Sequence, residues 1–412
     1  MENKYASDYF AEHYRKGFAS SQRQGRGIMP VIPGRTPLPG HGGKAILADC
    51  DALGIVGEPE LVLGLYVVGT SRLLDRPLSA IVYGKSSTGK SYTVNEVARL
   101  FPPHQVVFAT RMTAQAIYHM DSVAHKFFVA GERSRVQNDE AADATAALRQ
   151  LQSDRRITKQ ITEKSPEGKH VTREVKVEGP IAYVETTTLQ RDRIFPEDLN
   201  RALLLGTDES EDQTRQILKR YAEHYGESSR KVDTEAIIDR HRLFQVELEK
   251  RAVVIPFADR LMDALPARKV EARRVGPQVL SVIEAVTILF QFSRKPDKQD
   301  RLIATADDYA IAKRILTHPL GESLGVKASA AAFYKKLADR YQSKGFSTAE
   351  VQKFDPAGER TIRTWLAQLA EHGCVEQVEP GKGPKPATWI LNGKTPEETV
   401  LPEPEAIGLE GG

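Results

Sequence analysis

The sequence predicts an α/β protein: a phosphate-binding core, a helical region after it, and a small C-terminal domain of helix-turn-helix type. Three observations predict it. First, Gly84-Lys85-Ser86-Ser87-Thr88-Gly89-Lys90-Ser91 lies between an apolar run, Leu78 to Tyr83, and a stretch with Val94, Val97, Ala98 and Leu100 at helical spacing. Second, another apolar run, Lys126 to Ala130, ends in Gly131-Glu132. Third, from about residue 328 three short helical segments precede two strands around Pro380-Gly381-Lys382-Gly383-Pro384-Lys385.

The loop matches G-x-x-x-x-G-K-[ST], and its strand–loop–helix context gives the pattern meaning. Glycines let backbone N–H groups close around phosphate oxygens, and a helix N-terminus adds a favourable dipole. Gly84, Lys85, Ser86, Ser87, Thr88, Gly89, Lys90, Ser91 and the following Tyr92 are therefore the expected nucleotide-binding residues. Lys90 supplies charge for the β- and γ-phosphates of ATP, and the Ser91 hydroxyl is suited to Mg²⁺. Glu132, ending a core strand, is the candidate to activate water and help hold Mg²⁺. Gly131 stands where an aspartate is more usual, and Glu185 is the alternative carboxylate.

The 412 residues allow two or three domains. Hydrophobic residues at 40% and charged residues at 27% are ordinary for a soluble chain, and a net charge of +3 provides no global basic field, so any nucleic-acid contact must come from local patches. Cys50 and Cys374 are too far apart in sequence for metal-ligand spacing and fit a reducing cytoplasm. No stretch reaches membrane-spanning length, and the first residues lack an apolar signal core.

Residues 1–45 mix Arg, Gly, Ser and Pro and read as a flexible basic arm, either a solvated tail or a contact for nucleic acid or a neighbouring subunit. Leu47 to Leu74 reads as apolar helix under the loop's strand. Gln105 to Thr110 is a second strand, Met112 to Met120 a helix, Lys126 to Glu132 a third strand and Ala141 to Leu151 a helix. Residues 157–164 and 170–177 alternate apolar or β-branched with polar residues around Ser165-Pro166-Glu167-Gly168-Lys169, which predicts a hairpin with a polar tip. Ile181 to Thr188 is a further core strand, and Asp208 to Asp212 begins a helix. Residues 221–291 are mostly helical, Thr305 to Ile315 is a helix, and residues 396–412 read as a disordered acidic tail.

Taken together, Ser71 to Leu78, the loop, Phe128 to Glu132, Val177 to Pro180, Glu185 to Thr188, Asn200-Arg201, Asp208 to Ser210 and Asp307 to Tyr309 resemble the helicase-like AAA+ module of phage- and plasmid-type DNA primases. That module is similar to superfamily 3 helicases and to minichromosome maintenance helicases of mobile elements. The resemblance covers roughly residues 45 to 320. It implies an AAA+ P-loop ATPase core over 46–220, with the β-hairpin as an insertion, and a helical lid over 221–325; beyond the module, the pattern of three helices and two strands reads as a winged-helix domain over 326–395. Zinc-ribbon cysteines and a primase catalytic segment are missing, so priming is not expected.

The same resemblance implies a ring, expected to be a homohexamer, acting on DNA in replication of phage, plasmid or other mobile DNA. It assigns Thr187 or Thr188 to orienting the lytic water and Arg201 to an arginine finger reaching a neighbour's γ-phosphate. Arg273 or Arg274, with Arg268 competing, would sense nucleotide from the lid. Lys164, Lys169 and His170 at the hairpin tip would hold single-stranded DNA in a channel. Arg360 and Arg363 on the third C-terminal helix, with Lys382 and Lys385 in the wing, would contact duplex DNA. The expected activity is that of an ATP-dependent DNA translocase or helicase. The alternatives are a nucleotide-switched DNA-binding regulator and an ATPase that remodels proteins.

Overall fold

The computed structural model describes residues 43–109, 117–118, 120, 123–132, 147–148, 150–164, 170–189, 193–194, 201–226, 232–265, 272–323, 326, 328–342, 344–381, 386–396 and 401–409, of which 161–164, 170, 171, 173, 322, 323 and 328 by backbone alone. The chain divides into two units, Met1–Ile255 with Leu280–Ile311, and Pro256–Val279 with Ala312–Gly412. The division therefore falls inside helices at 272–289 and 306–323, and not at the 325/326 boundary expected from composition. The N-terminal arm and the 112–120 and 141–151 helices lie wholly or largely outside the described residues.

The first unit opens with α1 (Lys44–Ala52) and α2 (Pro59–Thr70). Every residue of α2 from Leu61 to Thr70 is buried, so this helix is apolar on all sides and forms the middle of a layer. Pro59 starts it where a missing N–H costs nothing. Next come β1 (Ser79–Tyr83), α3 (Lys90–Arg99), β2 (Val106–Ala109), β3 (Lys126–Glu132), β4 (Arg156–Lys164), β5 (His170–Glu178), β6 (Ile181–Thr187) and β7 (Leu203–Gly206). The strands β2-β3-β6-β1-β7, in that order, make a parallel sheet. Its central strands β1 and β6 are buried almost throughout because both faces are covered, the polar residues of β6 falling at its C-terminal end.

One face packs against α2 and α3. On the other, Ile181, Tyr183 and Phe128 pack with Leu151, Ile157 and Val177 at the root of the β4–β5 hairpin. α4 (Glu211–Tyr225) is capped by the Ser210 hydroxyl, which accepts the Gln213 N–H, and has Gln213 as its buried residue. α5 (Thr234–Glu247) follows, and β8 (Val253–Val254) pairs in parallel with β9 (Leu302–Ile303).

A buried polar knot joins α1, α2 and α5. The Tyr66 hydroxyl lies 2.8 Å from His241 Nδ1, and His241 Nε2 lies 3.0 Å from Asp49 Oδ2, which also takes Arg240 at 2.5 Å. Arg72, 1% exposed, donates to Gln105 Oε1, Gly69 O, Gln245 Oε1 and Gln245 O. Burial lowers the His241 pKa despite the Asp49 carboxylate. Burial also works to raise that carboxylate's pKa, but His241 and Arg240 hold it below the usual range. Elsewhere in the unit Arg294 grips the buried Asp308 at 2.5 and 2.9 Å, so the Asp307-Asp308-Tyr309 stretch has a fold-holding contact.

In the second unit, after α6 (Ala258–Asp263), lie the first turns of α7 (Ala272–Leu289) and the later turns of α8 (Ala306–Ser323). α9 (Ala328–Tyr341), α10 (Thr348–Val351) and α11 (Glu359–Glu371) pack with an antiparallel sheet around Phe333, Leu337, Phe346, Ile362 and Leu366. The sheet has β10 (Phe346–Ser347), β11 (Val375–Glu379) and β12 (Thr388–Leu391), in the order β10-β12-β11. The sequence shows two of these strands; β10, two residues long, is too short to display alternation. Residues 401–409 are ordered, against the acidic composition: Leu401 and Ile407 are buried, and Lys313 pairs with Glu403. Two apolar anchors outweigh the acidic character around them. No helix among the described residues is long and apolar enough to cross a membrane.

Candidate functional site

The strands of the central sheet end together at one edge, and the loop from β1 to α3 lies there. Gly89, with φ 86°, is the left-handed residue that starts α3. A Cβ on Gly84 would lie 2.1 Å from Thr207 Oγ1, so that position admits no side chain. Lys90 is 6% exposed, and its ammonium donates to Gly84 O at 2.9 Å and Lys85 O at 2.5 Å. Burial pulls its pKa below the ordinary lysine value, while Glu132 and Glu209 act in the other direction. Lys85, Ser86, Ser87, Gly89, Ser91 and Tyr92 are exposed, with Thr88 half-buried, so the loop offers polar groups to solvent above a fixed cation. The Tyr92 hydroxyl donates to Leu53 O at 3.2 Å.

The segment after β7 braces the loop. The Thr207 N–H donates to Tyr83 O, and its hydroxyl to Thr88 Oγ1 at 3.0 Å. Glu209 accepts the Lys85 N–H at 2.7 Å and pairs with its ammonium at 2.8 Å. The Asp208 N–H donates to Glu58 Oε1 at 2.8 Å, and burial pushes the Glu58 carboxyl up to about 7. The sequence marked Asp208-Glu209-Ser210 as a helix start, but no local pattern announced that it returns to the P-loop.

Glu132 reaches the site through an irregularity. Val129 pairs with Val184 but Glu132 pairs with Thr186, so three steps on β3 span two on β6. The extra residue is a bulge, and a one-residue slip reverses which face later side chains take. Without it Glu132 would face the hairpin root. With it Glu132 shares a face with Thr186 and Val82, the α3 side. Gly131 lies in the bulge, which gives a local reason for glycine where an aspartate was expected.

The remaining candidates separate by face and edge. Thr187 faces the other side, and its hydroxyl accepts the Leu189 N–H at 3.1 Å. Thr188 lies beyond the strand and is exposed. Glu185 shares the Thr187 face, buried, accepting from the Tyr183 hydroxyl at 2.7 Å; it is not beside Glu132. Thr186, passed over in the sequence, lies on the Glu132 face, and its buried hydroxyl has no protein partner among the described residues. Arg201 is half-buried before β7, near the opposite edge of the sheet. Since Leu203 pairs with Ala80 and Gly206 with Tyr83, the length of β7, about 10 Å, separates the Arg201 end of the strand from the loop of its own chain.

The hairpin rises from that opposite edge, where the Gly179 N–H donates to Arg155 O at 2.6 Å. Its ladder runs from Arg156↔Glu178 to Lys164↔His170, about 27 Å of paired strand. Lys164 and His170 form the last described pair, and Lys169 lies outside the described residues. A cleft of about 740 Å³ at the root, lined by Asp154, Arg155, Arg156 and Glu178, is remote from the P-loop edge.

In the second unit Arg360 and Arg363 are exposed on α11, but Arg363 is paired with Glu359 at 2.5 Å. Lys382, Lys385 and Arg268 lie outside the described residues, and Arg273 and Arg274 are exposed on the first turn of α7.

No family model and no curated protein matches the chain. Among solved structures it is similar to a full-length MCM homolog from Methanopyrus kandleri, at 10% identity and TM-score 0.42 over 68% of this chain and 60% of that one. It is also similar to the Thermotoga maritima RuvB Holliday junction branch migration motor, at 11% identity and TM-score 0.27 over 87% of this chain and 96% of that one. A third is the active helicase Cch of SCCmec type IV, at 10% identity and TM-score 0.33 over 94% of this chain and 76% of that one. The chain thus spans 60% of the length of the first of these.

Proposed function

We propose that this chain hydrolyses ATP in a ring of identical AAA+ subunits and couples the reaction to movement along DNA, in the replication of phage, plasmid or other mobile DNA. One observation carries the hydrolytic part: Lys90 is fixed under the P-loop carbonyls while the β3 bulge turns Glu132 onto the α3 face, within its field. Lys90 would move from those carbonyls to the β- and γ-phosphates. Glu132 would take a proton from water as the water oxygen bonds to the γ-phosphorus. The bond from that phosphorus to the bridging oxygen breaks, its electron pair stays on ADP, and phosphate leaves.

Mg²⁺ fits the donor set. The Ser91 hydroxyl and the Glu132 carboxylate are the one or two oxygens such an ion takes from protein when phosphates and water supply the rest. Among the described residues no cluster of three His, Cys, Asp or Glu offers an all-protein cage. When bound, the ion neutralises phosphate charge.

The hairpin, with Lys164, Lys169 and His170, is the proposed grip on single-stranded DNA. The second unit is proposed as a winged helix that presents Arg360, Arg363, Lys382 and Lys385 to duplex. A second reading has a specific observation behind it. The outward positions of β11 are Glu376, Val378 and Glu379, all exposed, which suits a protein partner better than a phosphate backbone. An ATPase that remodels protein, docked through this unit, is that alternative.

ATP turnover measured without DNA, with single strands and with duplex tests the choice, with Lys90→Ala as control. Single-strand stimulation lost in Lys90→Ala supports translocation. Duplex binding without stimulation supports a nucleotide-switched regulator, and indifference to DNA supports the protein-remodelling reading. Turnover equal to wild type in folded Lys90→Ala removes the ATPase altogether.

A further inference from the structure

α4 carries its apolar side outward. Its inward residues are Gln213, buried, and Ile217 and Arg220, half-buried. Two of these three make polar contacts: the Gln213 amide donates to Val56 O at 2.6 Å, and Arg220 pairs with Asp51 at 2.9 Å. At 3.6 residues per turn, Ile217, Tyr221, Tyr225, Leu218 and Ala222 share one arc of about 140°. All of that arc except Ile217 is exposed, Leu218 and Tyr221 at 60% and Tyr225 at 85%. Tyr92 of α3, also exposed, lies within electrostatic reach of Tyr221 and Arg220. Four of the seven large apolar side chains exposed among the described residues therefore belong to this one patch. A surface helix ordinarily turns such an arc to the core, and a cluster of exposed rings marks a docking face.

The sequence holds a segment with the matching pattern. In residues 4–18, Ala6, Tyr9, Phe10, Tyr14, Gly17 and Phe18 recur at helical spacing, and Lys4, Asp8, Glu12, Arg15 and Lys16 fall on the other side. This stretch lies outside the described residues. Phe10-Ala11-Glu12-His13-Tyr14 repeats the order aromatic-Ala-Glu-His-Tyr of Tyr221 to Tyr225 on α4. Each run sets two rings one helical turn apart, about 6 Å, so the rings of one fit the gaps of the other. Charge spacing agrees as well. Asp8 and Glu12 stand four residues apart, as do Arg215 and Lys219 on the rim of the α4 arc.

Tethering favours this segment over a free partner. α1 is about 14 Å long, and the residue that holds Arg220, Asp51, is in its last turn. Ala19 to Gly42 joins the segment to α1, and about 24 residues of Gly- and Pro-containing chain have an r.m.s. span of about 27 Å or more. That span covers the path from Lys44 to α4. A linker of matching length holds its cargo at an effective concentration of about millimolar.

We propose that residues 4–18 dock as an amphipathic helix on the outward face of α4 of the same chain, setting Tyr9, Phe10, Tyr14 and Phe18 against Tyr92, Leu218, Tyr221 and Tyr225. The N-terminal arm is then a partner of its own chain, and neither a solvated tail nor a contact for DNA. This goes beyond the ATPase reading and does not depend on it.

Trypsin cutting of the full-length chain tests the proposal, because cleavage follows the population in which a segment is open. Arg15 and Lys16 lie in the docked segment, and Arg23 and Arg26 in the linker provide the internal reference. Cutting after Arg15 and Lys16 should be at least about ten-fold slower than after Arg23 and Arg26. The protection should vanish in Tyr221→Asp and in Phe10→Asp and fall in Tyr225→Ala, with cooperative thermal unfolding retained in all three. It should not change over an about 100-fold range of protein concentration, because the contact is within one chain. Equal cutting at the docked and linker sites of the wild type overturns the proposal. Full protection in Tyr221→Asp and Tyr225→Ala also overturns it, since the segment would then be held elsewhere. Protection lost on dilution overturns the same-chain contact in favour of a second copy, and protection that appears only with DNA returns the arm to nucleic acid.

Discussion

Two polar regions of the first unit are built in opposite ways. In the knot around Arg72, Tyr66 and His241, buried polar groups are nearly all matched: the guanidinium reaches four acceptors, Tyr66 meets His241, and His241 meets Asp49, with only Arg240 Nε unmatched among the described residues of the knot. At the P-loop edge, a buried lysine leans on loop carbonyls, a glycine bulge turns a carboxylate, and a buried hydroxyl is unmatched. A satisfied network holds one arrangement, whereas an unsatisfied edge is ready for a partner from outside the chain. Substitutions should therefore cost stability in the first region and rate in the second.

The largest expected effect is on rate. Glu132→Gln keeps size and hydrogen bonding but cannot take the proton, so kcat should fall by about 10² or more while ATP still binds. Its unfolding midpoint should match wild type, because Glu132 is exposed. An unchanged turnover number would assign the proton to a group outside this edge.

The second effect is on stability. Arg72→Met removes the centre of the knot and strands the Gln105 and Gln245 side chains and the Gln245 carbonyl. Each buried neutral acceptor left unpaired should cost about 1–3 kcal/mol, read by urea unfolding, with kcat per folded molecule near wild type. A variant that unfolds normally but loses kcat would erase the distinction between the regions.

The smallest effect is pH dependence. The His241 pKa is lowered in the folded chain, chiefly by burial. The unfolded chain therefore takes up a proton near the ordinary histidine value, of about 6.5, before the folded chain does. The contribution is fully present above that value and is lost as pH falls through it toward the folded value. Each unit of pH within the window should remove up to about 1.4 kcal/mol. Urea unfolding between about pH 7.5 and 5.5, with His241→Gln lacking that component of the slope, checks it. Stability rising on acidification through this window, and rising less in His241→Gln, would contradict the sign.

Local signals and cross-strand signals fared differently. The P-loop was legible because sequence-adjacent residues build it: Gly84, Gly89, Lys90 and Ser91 need no distant partner to be recognised. α9 and α11 were legible from apolar spacing, and β4 and β5 from alternation about a turn. Thr186 was not legible, because its distinction from Thr187 depends on which face of β6 meets α3. Glu132 was found by its place at a strand end, but the bulge that aims it depends on pairing with β6. Glu58 and Glu209 were hidden because their contacts close loops of 150 and 124 residues.

Arg201 lies just before β7, at the opposite edge of the sheet from the loop, with the strand's length of about 10 Å between them. From that end of the strand it points to no phosphate at its own P-loop edge. If it serves catalysis, the unit of activity is a pair of chains, and the relevant variable becomes how often two chains meet. Specific activity would then climb with protein concentration and level off once assembly saturates. Dilution would silence the enzyme without unfolding any part of it.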